Sequence, residues 1–537
     1  MIKIFSDIDI SWSFIIYCAN IILLYTLVLL IFSACSPLTT IKHAVKTTYV
    51  PKYNVFSSSI AKPYEKELES KKNGGFIIAD GTSALLHRLA FVQMAQKSIE
   101  IQTYIYKNEL TSKLLIYEIY QAANRGVKVR ILIDDNGISS DLYDLIYLDS
   151  HENIEVRIFN PYFFRFGILR AFEAPFDFNR INRRMHNKLF IFDDTVLIAG
   201  GRNIADEYFD NASINFTDTD LLFIGNLAKD AKVNFEEFWN YRRSIPVSLF
   251  PSKHKIKQYN KRIQSTLQEE QRYNVDLAQW QDYRNDIDDF KTKYMNKEFE
   301  IAWGEGIFLA DLPKKIDKDS EFITTPILDG LTYYLNHAKD SIIISSSYLV
   351  PGDATLDIWH EFIQRGVQVQ ILTNSLASID VVPVYSHWEK YRDKLVQMGI
   401  EVYEYPHLES SKAKLKDKAK FYNTKKGRVS LHSKSMIIDE DIVAVGSFNL
   451  DYRSAMLNTE SIVFFKSEQL AKKLKEITQQ QMSESYQIVC DSFGKKCHWE
   501  ILLGDNQEIK KFSKPPNTSL WLRFYKTMAK IIPEKLF

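Results

Sequence analysis

Two stretches of the chain carry the same reactive side chains in the same order. Each has a histidine, a lysine two residues later, an aspartate five residues after the lysine and an asparagine ten residues after the aspartate. The residues concerned are His186, Lys188, Asp193 and Asn203, then His432, Lys434, Asp439 and Asn449. A single His-x-Lys pair is usually structural, whereas two copies in register indicate one shared reactive site.

Two imidazoles, two ammonium groups and two amides around one small volume suit a phosphodiester. The lysines would neutralise the non-bridging oxygens and the asparagine amides would donate hydrogen bonds to them. One histidine could attack phosphorus while the other protonates the departing alcohol. Because these groups supply the charge, we expect phosphoryl transfer with no metal ion and no cofactor.

Local chain geometry predicts how these groups meet. In an extended strand, residues i and i+2 share a face, so His186 and Lys188 should point the same way, as should His432 and Lys434. The apolar residues that follow suit a buried strand. The tight turns at 200–201 and 446–447 would then return an asparagine beside each pair.

The doubled pattern of HxK, four residues, D, six residues and GSxN resembles the signature of the phospholipase D superfamily, except that Gly201 replaces the first serine. Segments 179–188, 200–209 and 446–460 are similar to the bacterial cardiolipin synthase C branch, which makes cardiolipin from two phospholipids. The resemblance implies a phosphohistidine intermediate, with His186 as nucleophile and His432 as acid and then base.

Carboxylates flank both motifs. Asp218 and Glu460 could each fix the tautomer of one imidazole and stabilise its protonated form, and the family places such residues here. The alternative is an acid on a solvated loop. Asp193 and Asp439 end apolar strands, so we expect them to cap the following turns and to take no part in the chemistry.

The elements around the motifs also repeat. Strand-like segments in the first copy are 98–106, 126–135 and 154–159, with helical periodicity at 83–97 and 114–125; their counterparts in the second copy are 341–348, 365–372 and 400–405. This order predicts an α/β fold of two pseudo-symmetric phospholipase D-like βαβ domains, with mainly parallel sheets and one shared active site at strand ends. The predicted divisions are a membrane anchor or signal (1–47), a tether (48–75), the first domain (76–250), a helical connector (251–310), the second domain (311–490), and a hairpin with an amphipathic tail (491–537).

The segment 10–41 contains no charged residue and is predicted to meet a membrane. It could be an uncleaved transmembrane anchor or the hydrophobic region of a signal. Phe32-Ser33-Ala34-Cys35 is similar to the lipobox of bacterial lipoproteins, which would make Cys35 a lipidation site. Lysines after the segment favour a cytoplasmic body for an uncleaved helix. We expect a protein of the bacterial cell membrane with its catalytic body on the periplasmic side.

Four cysteines occur, and none is arranged as a zinc site. If the flanks of Cys490 and Cys497 pair as a hairpin, the two thiols would face each other and could form a disulfide, which would place the body outside the cytosol. In segment 520–532 the apolar residues Leu520, Trp521, Phe524, Met528, Ile531 and Ile532 fall on one helical face. That face could lie at a membrane interface or pack against the body.

The 537 residues carry a net charge of +1, so no overall basic field indicates nucleic acid, although residues 412–428 form a basic loop. The leading function is phosphatidyl transfer between lipids. The alternatives are phospholipid hydrolysis and a nuclease-type phosphodiesterase. The family branch implies phosphatidylglycerol as acceptor and another phospholipid, phosphatidylethanolamine, as donor, with a neighbouring partner protein as a further candidate contact and no nucleic acid.

Overall fold

The computed structural model describes residues 58–70, 72–138, 142–162, 173, 176–250, 277–317, 325–406, 428–491, 496–503 and 508–537. The hydrophobic segment 10–41, Cys35 and the basic loop up to residue 427 lie outside the described residues. Within the described ranges, no helix combines the length and apolar character needed to cross a membrane. All the elements below belong to one compact unit, Thr47–Pro161 with Asn179–Phe537.

The first repeat alternates strands with helices and then continues as strands joined by short turns. Its elements are α1 (Glu65–Glu69), β1 (Asn73–Ile78), α2 (Gly81–Met94), β2 (Ser98–Tyr106), α3 (Leu110–Asn124), β3 (Lys128–Ile138), α4 (Tyr143–Asp149), β4 (Ile154–Phe159), β5 (Leu189–Phe192), β6 (Val196–Gly200), β7 (Ile214–Thr217), β8 (Asp220–Ile224), α5 (Asn226–Trp239) and β9 (Ser244–Pro246).

The second repeat follows the same order after a helix and a strand that lead into it. These elements are α6 (Leu277–Met295), β10 (Ala302–Ala310), α7 (Pro326–Asn336), β11 (Ser341–Ser346), α8 (Leu356–Gln364), β12 (Gln368–Asn374), α9 (Val382–Gln397), β13 (Glu401–Tyr405), β14 (Arg428–Leu431), β15 (Lys434–Ile438), β16 (Ile442–Gly446), β17 (Ser461–Lys466) and α10 (Glu468–Ser483). Three strands and a helix complete the chain, namely β18 (Tyr486–Cys490), β19 (Cys497–Leu503), β20 (Glu508–Phe512) and α11 (Leu520–Ala529).

The sheets are mixed, which corrects the expectation of mainly parallel sheets. Among the described residues of the first repeat, β2, β3 and β4 pair in parallel, and β5, β6, β8 and β1 continue this sheet antiparallel. Strand β7 lies outside this sheet and pairs in parallel with β14 of the second repeat. The second repeat has the same arrangement, with β11, β12 and β13 parallel. The reason is the connections: crossover helices join the parallel strands, whereas β5 and β6 are joined by a tight turn that reverses the chain.

Strand β10 joins the two repeats into one continuous sheet. Its first residues, 302–304, pair with β1 of the first repeat, and residues 305–310 pair with β17 of the second. The predicted helical connector over 251–310 is therefore wrong at its end, where the chain is a strand. Helix α6 fits the helical prediction and packs against α2 through aromatic contacts such as Phe91 with Phe290.

The predicted tether also ends earlier than residue 75. From Ser58 onward the chain packs against the body, with Ile60, Tyr64 and Leu68 all buried. Strand β1 begins at Asn73. Ile60, Tyr64 and Leu68 recur every four residues, which is the spacing of one helical face, but the nearby serines and prolines favoured a tether. The segment packs against α6, as in Tyr64 with Tyr294, and against the turn after β5, where Ser58 bonds to Asp193.

The main hydrophobic core lies between the two repeats. Ile191 and Phe223 of the first repeat and Ile437 and Phe465 of the second belong to one buried cluster. The rings of Phe223 and Phe465 have centroids 5.4 Å apart. Burial of such side chains contributes about 1.5–3 kcal/mol each, so the repeats are held together as one body.

Candidate active site

The first His-x-Lys segment lies just before its strand, since β5 begins at Leu189, and in the second copy only Lys434 lies within a strand, as the first residue of β15. Each segment bonds to the opposite repeat through its backbone. The His186 N–H donates to the Thr459 carbonyl at 2.8 Å, and the His432 N–H donates to the Thr217 carbonyl at 2.7 Å. Each histidine is therefore positioned by the residue that precedes the other repeat's carboxylate.

The histidines and carboxylates pair across the repeats. His186 Nδ1 lies 2.8 Å from Glu460 Oε2, and His432 Nδ1 lies 2.7 Å from Asp218 Oδ2. All four side chains are shielded from solvent, and both carboxylates are almost fully buried. Because Glu460 accepts a hydrogen bond at His186 Nδ1, the proton of that imidazole resides there and its Nε2 keeps a lone pair for attack; Asp218 orients His432 through the same contact at Nδ1.

The lysines fold back on their own histidines. Lys188 Nζ donates to the His186 carbonyl at 2.6 Å, and Lys434 Nζ donates to the His432 carbonyl at 2.5 Å. Burial lowers the pKa of Lys188 to about 7 and that of Lys434 to about 8. Because burial destabilises the charged form of both lysines, an anionic ligand bound beside them would stabilise that form.

The asparagines use their carbonyl oxygens to hold position. Asn203 Oδ1 accepts a hydrogen bond from the Ile105 N–H at 3.1 Å, and Asn449 Oδ1 accepts one from Ser347 Oγ at 2.9 Å. With each oxygen engaged, each amide nitrogen is oriented as a donor, which is the role that binding a phosphate oxygen requires.

The two copies differ where the motif has Gly201 in place of serine. Ser447 Oγ donates to Glu460 Oε2 at 2.5 Å. A Cβ at Gly201 would lie 2.4 Å from Asp218 Oδ1, so no side chain fits there. Ser454 Oγ adds a second hydroxyl bond to Glu460 at 3.0 Å. Glu460 is thus held by two hydroxyl groups, whereas the Asp218 carboxylate itself occupies the space that a side chain at residue 201 would need.

The two pairs also differ electrostatically. Burial would raise the pKa of Glu460, but its interaction and hydrogen bond with His186, the charge of Lys188 and the hydrogen bond from Ser447 lower it overall, so this carboxylate stays ionised. Burial raises the pKa of Asp218 to about 7 and lowers the pKa of His432 well below its usual value. Burial also lowers the pKa of His186 to about 4, which keeps this imidazole neutral and nucleophilic at neutral pH. Asp218 and His432 instead share a transferable proton.

Aromatic rings line the site beside the imidazoles. The Tyr104 ring centroid lies 5.1 Å from that of His186, and the rings of Tyr208 and Phe216 each lie 5.1 Å from that of His432. These rings exclude water from the imidazoles, and that desolvation is the main cause of their lowered pKa values.

Asp193 and Asp439 bind backbone, though not at the following turns as expected. Asp193 accepts from the N–H groups of residues 96–98, and Asp439 accepts from those of residues 339–341. These N–H groups precede β2 and β11, which are the antiparallel neighbours of β5 and β15. Each aspartate therefore holds the start of the adjacent strand, a contact that requires the folded sheet.

Several residues of the site had no signal in either motif. Ser347 contacts both Lys434 Nζ, at 2.8 Å, and Asn449. Tyr104, near the end of β2, and Ser347, directly after β11, occupy equivalent positions of the two repeats, so aligning the repeats beyond the motifs would have indicated both. In the part of the chain that the structure describes, no group of three or more His, Cys, Asp and Glu side chains is arranged to hold a metal ion.

Comparisons with known proteins agree with the doubled architecture. A family model described as "Cardiolipin synthase, PLD-like domain" matches residues 89–239 and 331–482. The chain is 40% identical over 491 residues to a protein of Helicobacter pylori strain J99, covering 90% of this chain and 93% of that one. It is 32% identical to cardiolipin synthase C of Escherichia coli K12, covering 86% and 95%. The crystal structure of phosphatidylserine synthase from Haemophilus influenzae shares the fold, with a TM-score of 0.53, 13% identity and coverage of 89% and 100%.

Proposed function

Because this chain belongs to the family of cardiolipin synthases with phospholipase D-like domains, we propose that it transfers a phosphatidyl group from one phospholipid to another and so makes cardiolipin. The observation that carries the proposal is the crossed pairing of His186 with Glu460 and of His432 with Asp218. It sets two differently tuned imidazoles, two lysines and two amides around one small volume.

The chemistry proceeds in two steps. His186 Nε2 attacks the donor phosphorus, the bond from phosphorus to the head-group oxygen breaks, and His432 gives its proton to the departing alcohol. A hydroxyl group of the acceptor lipid then loses its proton to His432 and attacks phosphorus, which releases His186. Lys188, Lys434, Asn203 and Asn449 bind the non-bridging oxygens throughout.

The roles follow from the difference between the two pairs. Ionised Glu460, held by Ser447 and Ser454, stabilises the positive charge that develops on His186 when it bonds to phosphorus. The proton shared by Asp218 and His432 suits a group that must act first as acid and then as base. This asymmetry supports His186 as the nucleophile.

The acceptor is phosphatidylglycerol and the donor is a second phospholipid, phosphatidylethanolamine. Both are inferred from the family branch, and a neighbouring partner protein is a further component to test. The protein works at the bacterial cell membrane with its body on the periplasmic side. A disulfide between Cys490 and Cys497 supports this location, because such bonds persist in oxidising compartments.

Lipid analysis tests the reaction. The chain is expressed, alone and with its neighbouring partner, in a host that lacks its own cardiolipin synthases. We expect cardiolipin with the wild type and with His337→Ala, a change at an exposed histidine, and none with His432→Ala. Phosphatidic acid without cardiolipin would assign hydrolysis instead, and unchanged lipids alongside cleaved DNA would assign a nuclease.

The intermediate has its own test. Purified enzyme is mixed with a donor carrying labelled phosphate and quenched within one turnover. The label should be found, acid-labile and base-stable, on the peptide that contains His186. Label on the His432 peptide would reverse the two roles.

A further inference from the structure

Helix α11 presents its apolar side to solvent. Leu520, Trp521, Phe524 and Ile531, in the helix and just after it, have 79%, 74%, 54% and 76% of their surface exposed. These residues belong to the face that its amphipathic pattern would place against a protein core. Its polarity is therefore inverted relative to an ordinary surface helix, in which the apolar stripe is buried.

Specific contacts hold the helix in this orientation. Leu522, Lys526 and Ala529 face the body, and Lys526 Nζ lies 2.7 Å from Glu389 Oε1 of α9. Lys530 Nζ lies 3.0 Å from the other oxygen of the same carboxylate. Burial would raise the pKa of Glu389, but the two lysines lower it overall, so the pairing is ionic. Rotation of the helix to bury Trp521 would leave Glu389 without its cations.

All the charged side chains in the segment around the helix are basic. Residues 509–533 contain six basic side chains and no acidic one: Lys510, Lys511, Lys514, Arg523, Lys526 and Lys530. Lys511 pairs with Glu500, and Lys526 and Lys530 pair with Glu389, which leaves Lys510, Lys514 and Arg523 without an ion pair among the described residues. The apolar face matches the acyl chains of an anionic membrane, and the basic residues match its phosphate groups. A second protein with an apolar patch would match the apolar face but not the basic residues.

The same segment is joined to the candidate active site. Beyond the helix, the carbonyls of Leu536 and Phe537 accept hydrogen bonds from the side chain and backbone of Arg453. Arg453 lies between Asn449 and Glu460 in sequence, and its guanidinium also donates to the Asn182 carbonyl, four residues before His186. The exposed face thus belongs to a segment bonded to the loops that carry both motifs.

We propose that the outer face of α11 is a docking surface for an anionic lipid bilayer, which brings the site to the membrane surface. The proposal rests on the proposed function, since a lipid-processing site needs access to lipid in a bilayer. Trp521 and Phe524 insert among the acyl chains, and Arg523, Lys510 and Lys514 meet the phosphates. The predicted membrane segment at 10–41 would tether the protein, and α11 would set the orientation of the body.

Fluorescence quenching tests the contact in the full-length chain. His432→Ala protein, which isolates docking from turnover, is reconstituted in vesicles of phosphatidylcholine and phosphatidylglycerol with brominated acyl chains. Part of the tryptophan emission should be quenched, and the quenched fraction should be smaller in the additional variant Trp521→Phe; Trp12 of the predicted membrane segment contributes equally to both proteins. As a matched control, Val233→Trp in the Trp521→Phe background places a tryptophan at another exposed position, 63% exposed on α5, and should not be quenched.

Two results would overturn the proposal. Trp521 emission that lipid does not quench, and that aqueous acrylamide does, would mean that the face stays in water. Emission shielded from both quenchers would mean that a protein covers it. The quenching experiment uses an inactive variant, so a negative result would contradict docking but not the lipid-transfer reaction. A negative lipid analysis would contradict the reaction but not docking.

Turnover provides a second measure. The double variant Trp521→Ser/Phe524→Ser should lower the ratio of rates on vesicle-embedded and micellar lipid roughly tenfold or more, because each buried aromatic side chain contributes about one power of ten to partitioning. The exposed change Val233→Ser should leave this ratio as it is. An unchanged ratio in the double variant would contradict docking through α11.

Discussion

His186 and Glu460 are separated by 274 residues in the sequence, and His186 Nδ1 lies 2.8 Å from Glu460 Oε2. The same relationship joins His432 to Asp218 across 214 residues at 2.7 Å. Each histidine therefore depends on the other repeat for the carboxylate that orients it. Neither repeat contains a complete pair of its own.

Glu460→Gln should lower kcat sharply while the protein stays folded. The amide keeps the shape of the carboxylate but cannot stabilise a positive imidazole, and the loss of an orienting carboxylate in such a pair costs roughly 10³–10⁴-fold in rate. Steady-state kinetics with a thermal unfolding control would measure it. A fall of less than tenfold would show that His186 does not gain charge during turnover.

Exchanging the residues at the two turn positions should have unequal effects. Gly201→Ser restores the usual motif, yet its Cβ would meet Asp218 at 2.4 Å, so we expect a loss of activity of roughly 100-fold through displacement of the pair with His432. Ser447→Gly removes one hydroxyl bond to Glu460 and should cost only about tenfold. Full activity of Gly201→Ser would show that a serine is tolerated at this position and does not displace Asp218.

The pH dependence of kcat/KM should be set on its alkaline side by the lysines. Their pKa values of about 7 for Lys188 and about 8 for Lys434 mean that the ammonium forms are present below these values and are lost above them. Activity that needs both charges should therefore fall as pH rises through 7–8 in the free enzyme. A bound phosphodiester anion raises both pKa values, so the alkaline limb of kcat should lie at higher pH than that of kcat/KM. If the alkaline limbs of kcat and kcat/KM coincide, Lys188 and Lys434 are not the groups that set them.

Removing the disulfide should lower stability and spare the chemistry. Cys490 and Cys497 face each other in the β18–β19 hairpin, and closing so short a loop contributes about 2–3 kcal/mol by the chain-entropy estimate. The variant Cys490→Ser/Cys497→Ser should unfold at lower denaturant concentration with near-normal kcat, because buried Trp499 still bonds to Glu404 at 2.7 Å. Two free thiols found by mass spectrometry in freshly isolated wild-type protein would contradict the bridge.

The sequence predicted which side chains would gather because the repeat itself carries that information. Identical spacing in two copies indicated that two His-x-Lys pairs share a volume, and strand periodicity placed β2, β3 and β4 near their observed bounds. Tight turns after β5 and β15 were also readable from composition. These features depend on residues close together in the chain.

Features that depend on distant contacts could not be predicted in this way. Nothing near Glu460 indicates that it pairs with His186 rather than with His432, since the choice depends on backbone bonds between the repeats. The target of Asp193 is likewise a loop almost a hundred residues upstream. Helix α11 has the pattern of a core-facing helix, and its outward apolar side depends on the pairing of Lys526 and Lys530 with the distant Glu389.

Strand β10 has a consequence for how lipids reach the site. Its backbone bonds to β1 through residues 302–304 and to β17 through residues 305–310, so one rigid ribbon crosses the boundary between the repeats. A clamshell motion that parted the repeats would break these ladders and expose the shared core around Phe223 and Phe465. Lipids therefore cannot enter the site by a hinge motion that separates the two repeats. If the proposed two-step transfer takes place at this shared site, donor and acceptor react there in turn, which is the order of events in ping-pong kinetics.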